Sequence, residues 1–570
     1  MIKPWYELYP GLFQEEIEQM EELGLVLDKA HLEQRSEVKV SGEVKVVEQK
    51  FKIEIIFPGG YPWVRPEVYV PEITKASHQE PYRGNLCLLE YYPSKWHADL
   101  NSSYIVERAK IWIDNHIRPD ADPTKWEDEV DAPEPRQFYT PEIPSTGLLV
   151  PEEFLDIPPG STGTFEARFD LNCRTGVVTG LDYNDGSSQK TRIQPDYSHL
   201  YQKKILRAKG FFFSTNSTPP YFETPQDIMK WATEQGIRNL GTKCDKATLL
   251  DPLLQRYGYG KLVAIRYLDE GINKGEHVPY WLVYSLPKIW KGLKMPAKKF
   301  IVRSYNVRKE QLFNRSAGWE GLRDKNVVVV GLGAIGSYIA VELVRAGVNE
   351  MTIIDPDIFD VGNVVRHVLS LEDVGLSKSE AMANHLKKIN PFLKVHPLGM
   401  RVGIDHKGLE DFAEHVCNAD LVISATGENG ADRVINEVCL QLGKPAIYAW
   451  ASIGAWGGTV IRTGPDQGCF DCFCYWDNEP EAPFMPEVPE VDPFYELSCA
   501  LPTFPGTGFD TGAIAMAATR LAARSLLALD GIPDVVYDWL TISNRGTNKD
   551  EDLVIEKREL PSHPLCARHS

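Results

Sequence analysis

Residues 325–348 read KNVVVVGLGAIGSYIAVELVRAGV, and their pattern decides the fold of the C-terminal half of the chain. Val327, Val328, Val329 and Val330 form an apolar run of strand length that stops at a glycine. Gly331, Gly333 and Gly336 come next, and the residues after them carry the amphipathic spacing of a helix. A second strand pattern, EMTIIDPD, reaches Asp355, which lies 19 residues after Gly336. This order suits a nucleotide. Glycines let backbone come close to phosphate, the helix N-terminus attracts its charge, and an acid at the end of the second strand meets a ribose. NAD and ATP fit this much equally well. The segment is also the most apolar in the chain, but its glycines and Glu342 favour strand, loop and helix over a membrane span.

The next residues separate the two nucleotides. The run 355–391, DPDIFDVGNVVRHVLSLEDVGLSKSEAMANHLKKINP, carries Asp357, Asn363, Arg366 and Lys378. It resembles the D-x-D, N-x-x-R and G-x-x-K signature of ubiquitin-activating enzymes and of bacterial enzymes that activate sulfur-carrier proteins. Hydride transfer needs no such cationic group beside the ribose. Adenylation does, because charge builds on the phosphates as a carboxylate attacks the α-phosphorus and pyrophosphate leaves. The resemblance implies ATP with magnesium (Mg2+). It also implies that Asp355 binds ribose, Asn363 and Arg366 contact phosphates, and Lys378 neutralises developing charge. RSYNVRKEQLFNR, upstream, is similar to the family's basic entry segment, where an arginine reaches the partner subunit's nucleotide; Arg308 is the choice here. ADLVISATGENGADR is similar to the family's next strand, but Gly427 stands where a magnesium-holding aspartate usually follows the threonine, with Glu428 as a substitute.

GCFDCFCYW supplies Cys469-x-x-Cys472, and PLCARHS supplies Cys566-x-x-His569. Two paired ligands distant in sequence suit tetrahedral zinc (Zn2+), and four protein ligands leave no open position, so the metal is expected to be structural. Cys474 and His563 are alternative ligands. Cys499 lies in ELSCALPTFPGTGFDTG, just after the acidic proline-rich run NEPEAPFMPEVPEVDPFYE. By the same resemblance, it is the catalytic cysteine of the activating unit, and residues 475–500 are its crossover loop.

At the other end of the chain, Phe13, Ile17, Met20 and Leu23 have helical spacing. EVKVSGEVKVVEQKFKIEIIF and PEVYV read as a strand meander, and FPGGYPWVRP links them through prolines that fix a rigid excursion. GNLCLLEYYPSKWHADL then carries Cys87, Trp96 and Leu100, with a helix expected from near Asn101. This ordered set resembles a ubiquitin-conjugating enzyme over about 110 residues. The resemblance implies that Cys87 accepts a protein C-terminus as a thioester and passes it to an amine. The family's His-Pro-Asn tripeptide is absent upstream of Cys87. His78, in ASHQEPYRGN, can occupy part of that site, and Asn85 is too close to Cys87 in sequence to be a simple equivalent, so the oxyanion donor is unassigned.

Lys and Arg number 61 against 80 Asp and Glu, for a net charge of −19. Such a surface repels phosphate backbones, so no nucleic-acid partner is expected. Ten unevenly spaced cysteines in 570 residues suit a reducing cytoplasm rather than a disulfide scaffold. The opening MIKPWYELYPGLFQEEIEQMEELG lacks the basic start and apolar run of a signal peptide, so a soluble cytoplasmic protein with no membrane partner is expected.

The fold class expected is multidomain α/β and α+β. Residues 1–118 form the ubiquitin-conjugating-like α+β domain, 119–160 an acidic proline-rich linker, 161–304 a β-rich mixed α/β middle domain, and 305–570 a Rossmann-like adenylation domain. In the middle domain, TFEARFDL, KLVAIRYL and YWLVYSL read as strands, and TPQDIMKWATEQGI reads as a helix capped by Thr224. The domain order resembles fusion proteins found beside cGAS-like nucleotidyltransferases in CBASS antiphage operons. That resemblance implies a homodimer, a nucleotidyltransferase whose C-terminal carboxylate is activated, and lysine-bearing targets. The rival expectations are a sulfur-carrier activator with a degenerate adaptor domain and an NAD-dependent oxidoreductase.

Overall fold

The computed structural model describes residues 3–73, 79, 84–89, 96–97, 100–117, 147–172, 174–186, 190–195, 204–220, 222, 224–270, 277–286, 301–464, 467–479, 506–531, 534–544 and 553–568. The chain divides after Val307 into two compact units.

The N-terminal residues build helix Pro10–Glu22 and a four-stranded antiparallel meander of Leu25–Leu27, Val38–Val46, Gln49–Phe57 and Glu67–Tyr69. Alternate residues of the two long strands (Val38, Val40, Val44, Val46, Phe51, Ile53, Ile55 and Phe57) are buried, as period-2 patterning requires. Helix Ser102–Ile117 adds Ile105, Val106, Ala109, Trp112 and Ile113 to the same core. Asn101 caps this helix by accepting from the Tyr104 N–H at 3.2 Å. A buried carboxylate, Glu16, ties the parts together. It accepts from the Tyr61 hydroxyl, the Ser102 hydroxyl and, at 3.1 Å, the Ser102 N–H.

The next sheet closes on itself. Strands Leu206–Ser214, Lys261–Glu270, His277–Leu286, Ile301–Val307, Gly147–Pro151, Thr175–Asn184 and Thr162–Phe169 pair in that order, and the last pairs back to the first. Closure removes the sheet edges, and the interior fills with Phe165, Phe169, Phe212 and Trp281. Phe211 and Phe213 point the other way and are covered by helices Pro225–Glu234 and Leu240–Ala247. Thr224 and Asp227 form a capping box at the start of the first of these helices.

Two expected boundaries move. Residues 147–157, read above as part of the linker, belong to the barrel because Leu148, Val150, Phe154, Leu155 and Ile157 bury apolar side chains among the proline-rich residues. Residues 305–307, read above as adenylation domain, are the end of a barrel strand that pairs in parallel with Gly147–Pro151.

The second unit is an eight-stranded sheet in the order Lys394–Leu398, Glu350–Ile354, Asn326–Val330, Leu421–Ser424, Ala446–Ala451, Gly457–Thr463, Trp539–Ser543 and Val554–Arg558. The first five strands are parallel and the remainder antiparallel. Val327 and Val329 face helices Gly336–Ala346, Lys378–Ile389 and Gly508–Ala528, whereas Val328 and Val330 face His406–Cys417 and Asn429–Leu442. A sheet buried on both faces explains the uninterrupted valine run. The chain builds two strands on one side of Asn326–Val330 and then crosses to the other side at Leu421–Ser424. The crevice at the C-terminal ends of these strands is the switch point where open α/β sheets bind ligands.

Candidate functional site

Each of the three glycines at the switch point has a different reason to be there. Gly331 has φ +84°, and a Cβ on it would lie 2.6 Å from the Ala425 carbonyl oxygen. A Cβ on Gly336 would lie 1.8 Å from the Gly331 oxygen, so only glycine lets the helix start this close to the strand. A Cβ on Gly333 would meet nothing within 4 Å. The first and third glycines therefore pack the turn, and the middle one faces open space, where a phosphate can approach the backbone.

Asp355 follows the end of strand Glu350–Ile354 and is only 5% exposed. One carboxylate oxygen accepts the Leu332 N–H at 2.7 Å and the other the Asp357 N–H at 2.9 Å. Burial pushes this carboxyl above the ordinary carboxylate range, while the Lys378 charge and the two amides pull it back down. Lys378 opens helix Lys378–Ile389, nearly buried, with its ammonium 3.0 Å from the Asp357 carboxylate. Asp355, Asp357 and Lys378, 23 residues apart in sequence at most, thus share one corner of the crevice.

Asn363 and Arg366 lie in the short 3-10 helical turn segment Val361–Arg366. The Asn363 side-chain oxygen accepts the Asp360 N–H at 3.1 Å, closing a capping box that holds the turn. Arg366 ends the turn, and its Cα lies 3.4 Å from where a Gly508 Cβ would sit, so the N-terminus of helix Gly508–Ala528 packs closely on it. Arg308 occupies the N-cap position of the short helix Lys309–Leu312.

Two residues absent from the sequence reading complete the site. His367 is buried, with Nε2 2.6 Å from the Leu332 carbonyl oxygen, while its Nδ1 accepts the Leu369 N–H at 3.0 Å. Because Nδ1 accepts, Nε2 carries the proton and donates. Burial pushes the ring down to about 4, so it is neutral at physiological pH. Asp432 is buried and accepts from Ser424 at 2.5 Å and from Thr426, the residue before Gly427, at 2.9 Å. Its only sequence signal is an acid five residues beyond the glycine that replaces the expected one. Asp432 is buried and Glu428 exposed, and both supply the hard oxygen donors that magnesium prefers.

Cys469, Cys472 and Cys566 converge elsewhere in the same unit, with all three sulfurs within 4.8 Å of one another. Cys469 lies 3.8 Å from Cys472 and 3.6 Å from Cys566. Thiolates about 2.3 Å from a tetrahedral zinc sit about 3.8 Å apart, so the donor set fits that ion. The His563 N–H donates to the Cys472 sulfur at 3.2 Å, the kind of outer hydrogen bond that steadies a thiolate ligand. Burial holds the Cys469 thiol up to about 12, so a cation would be needed to ionise it. Neither alternative ligand joins the three sulfurs. The His563 ring accepts from the Leu565 N–H and faces Glu479, and Cys474 lies beside Arg433 and Asp471. His569 lies outside the described residues.

Residues 306–534 match the ThiF family. A SAMP-activating enzyme E1 of Haloferax volcanii is 31% identical over 212 residues, which is 37% of this chain and 72% of that protein. The chain belongs to the ThiF family. An uncharacterised protein y4oA of Sinorhizobium fredii is 24% identical over 570 residues, covering 94% of this chain and 91% of the relative. An ATP-dependent ubiquitin transferase-like protein, Cap2, of Enterobacter hormaechei is 26% identical over 255 residues, covering 44% of this chain and 40% of Cap2. The second unit is thus a ThiF-type, E1-like domain that adenylates a carboxylate with ATP, and enzymes of this type use magnesium. No helix among the described residues is long and apolar enough to cross a membrane.

Cys87 belongs to the first unit. It is half-buried in a segment where Leu86, Leu88 and Leu89 turn into the core. The Leu86 N–H donates to the Val68 carbonyl at 2.8 Å, and Arg65 and Arg108 donate to the Leu89 and Leu88 carbonyls. The backbone on either side of the sulfur is therefore held while the side chain stays accessible. Buried Gln79 donates to the Gly84 carbonyl at 2.8 Å, steadying the turn before it. Trp96 donates to the Pro62 carbonyl at 2.8 Å, joining the proline excursion to the residues after Cys87. His78 and Cys499 lie outside the described residues, as does most of the 475–500 loop. Tyr475 and Trp476 at its start still belong to helix Phe470–Trp476.

Proposed function

We propose that this ThiF-family protein activates the C-terminal carboxylate of another protein and conjugates it to an amine. The observation that carries the reading is the crevice where Asp355, Asp357 and Lys378 converge beside the open Gly333. ATP seats its ribose at Asp355 and its phosphates over the glycine turn, where Asn363, Arg366 and, from the partner subunit of a homodimer, Arg308 engage them. A carboxylate oxygen attacks the α-phosphorus and pyrophosphate leaves, with Lys378 offsetting the charge that develops. Glu428 or Asp432 would hold magnesium, which would supply charge stabilisation at the phosphates.

The Cys499 thiolate then attacks the acyl carbon and AMP leaves. Cys87 takes the acyl group by thioester exchange, freeing Cys499, and a lysine amine displaces Cys87 to form the amide. Holding both cysteines on one chain makes the exchange intramolecular. The assignment of Cys499 rests on the sequence resemblance, and that of Cys87 on the ordered motif and its half-buried, braced position. A zinc bound by Cys469, Cys472, Cys566 and His569 is structural. The Cap2 similarity and the domain order support a cytoplasmic role in antiphage defence, with a cGAS-like nucleotidyltransferase as the activated protein and lysine-bearing proteins as targets.

The relay is tested with cysteine variants and intact-mass analysis after incubation with ATP and lysate of the native cell. Cys499→Ala retains pyrophosphate exchange but forms no thioester, and Cys87→Ala traps the acyl group on Cys499. Charging of Cys87 in the Cys499→Ala protein overturns the relay order. Conjugation that survives Cys87→Ala instead identifies a carrier-protein activator. Stabilisation by NAD and not by ATP–magnesium in thermal unfolding identifies an oxidoreductase.

A further inference from the structure

The adenylation reading assigns no role to His367, although its ring is hydrogen-bonded to the glycine turn. Its Nε2–H donates to the Leu332 carbonyl oxygen at 2.6 Å, while Asp355 accepts the Leu332 N–H at 2.7 Å. The ring itself is fixed from three sides. Nδ1 accepts the Leu369 N–H, the Phe359 ring packs edge-on with centroids 4.9 Å apart, and solvent is almost excluded.

The two contacts act on different peptides. Asp355 holds the Gly331–Leu332 peptide by its N–H, and His367 holds the Leu332–Gly333 peptide by its carbonyl. A trans peptide is planar, with its N–H directed opposite its C=O. Fixing the direction of the Leu332 carbonyl therefore fixes the direction of the Gly333 N–H. Among the described residues, that N–H donates to nothing, and a Cβ built on Gly333 would meet nothing within 4 Å. Without His367 the peptide can rotate, and the amide loses its aim.

We propose that His367 is a positioning residue that orients the Gly333 amide toward a bound nucleotide's phosphate. The role rests on the adenylation reading and deepens it. It also predicts which part of the ligand notices the change. Phosphate binding weakens when the donor is lost, and binding of the nucleoside does not.

The experiment uses the full chain and measures dissociation constants for ATP–magnesium and for adenosine in wild type, His367→Leu and His367→Gln. The leucine lacks a donor, whereas the glutamine amide can donate to Leu332. The proposal expects His367→Leu to weaken ATP about five- to tenfold, the scale of one hydrogen bond, with adenosine unchanged and with His367→Gln close to wild type. Equal weakening of both ligands, or no weakening of ATP, overturns it. If His367→Leu does not fold, the glutamine variant decides alone, because a changed ratio of ATP to adenosine affinity there also overturns the proposal. A wild-type chain that binds no ATP fails the adenylation reading itself, which separates the two failures.

Discussion

Lys378 grips Asp357 twice: its backbone N–H donates to the Asp357 carbonyl at 2.9 Å, and its ammonium lies 3.0 Å from the Asp357 carboxylate. The first contact fixes where the helix begins and the second aims its first side chain. A cation held this way at the crevice is already oriented before substrate arrives, which is the condition for stabilising developing charge without reorganisation. Lys378→Met should lower pyrophosphate–ATP exchange by about a hundredfold or more, the usual cost of removing one preorganised donor. Far-ultraviolet circular dichroism should be unchanged, because the backbone contact remains.

The glycines of the turn should separate by assay. Gly336→Ala places a methyl 1.8 Å from a backbone oxygen, so the variant should lose several kcal/mol of stability or fail to express in folded form. Gly333→Ala meets no protein atom, so its unfolding temperature should stay near wild type while ATP affinity falls. Differential scanning calorimetry, without nucleotide and with it, measures both effects.

The strand–glycine–helix–strand start of the second unit was legible in the sequence, because its signals are local. Valines buried on both faces, glycines with steric reasons and an acid at a strand end all fall within 31 residues, Lys325 to Asp355. The barrel was far less legible. Its closure depends on Thr162–Phe169 pairing with Leu206–Ser214 and on Gly147–Pro151 pairing with Ile301–Val307, contacts that no periodicity encodes. Proline and acid counts around 119–160 hid Leu148, Val150 and Phe154, which composition averages away. His367 and Asp432 escaped because each is a single polar residue whose meaning comes from a partner distant in sequence or from burial alone.

His367 also makes stability depend on pH in a defined direction. Its folded value is depressed to about 4 from 6.5, with burial as the main cause and the Lys378 charge assisting. The unfolded chain therefore binds this proton more readily, and the stabilisation is full above pH 6.5 and is lost as pH falls toward 4. Between pH 7 and pH 5, wild type should lose about 2 kcal/mol more than His367→Gln does. Urea unfolding of both proteins across that range, followed by a probe in the second unit, checks the sign.

The three-sulfur cluster predicts bound metal. The purified chain should carry about one zinc by plasma mass spectrometry, and Cys469→Ser or prolonged chelation should remove it and lower the unfolding temperature. Pyrophosphate exchange assayed well below that temperature should survive in part, because the metal is proposed to be structural rather than part of the crevice. Full loss of exchange with intact folding would assign the metal a catalytic role instead.

The account rests on chemistry at the Gly333 crevice, and the most direct measurement is the fate of ATP. Purified protein is incubated with ATP–magnesium, labelled pyrophosphate and proteins from its native cell, and the nucleotides are separated. The account predicts that label enters ATP and that AMP appears in step with acyl transfer, with both signals lowered about a hundredfold or more by Lys378→Met. Unlabelled ATP and no AMP with every protein supplied, or ADP as the product, would contradict it.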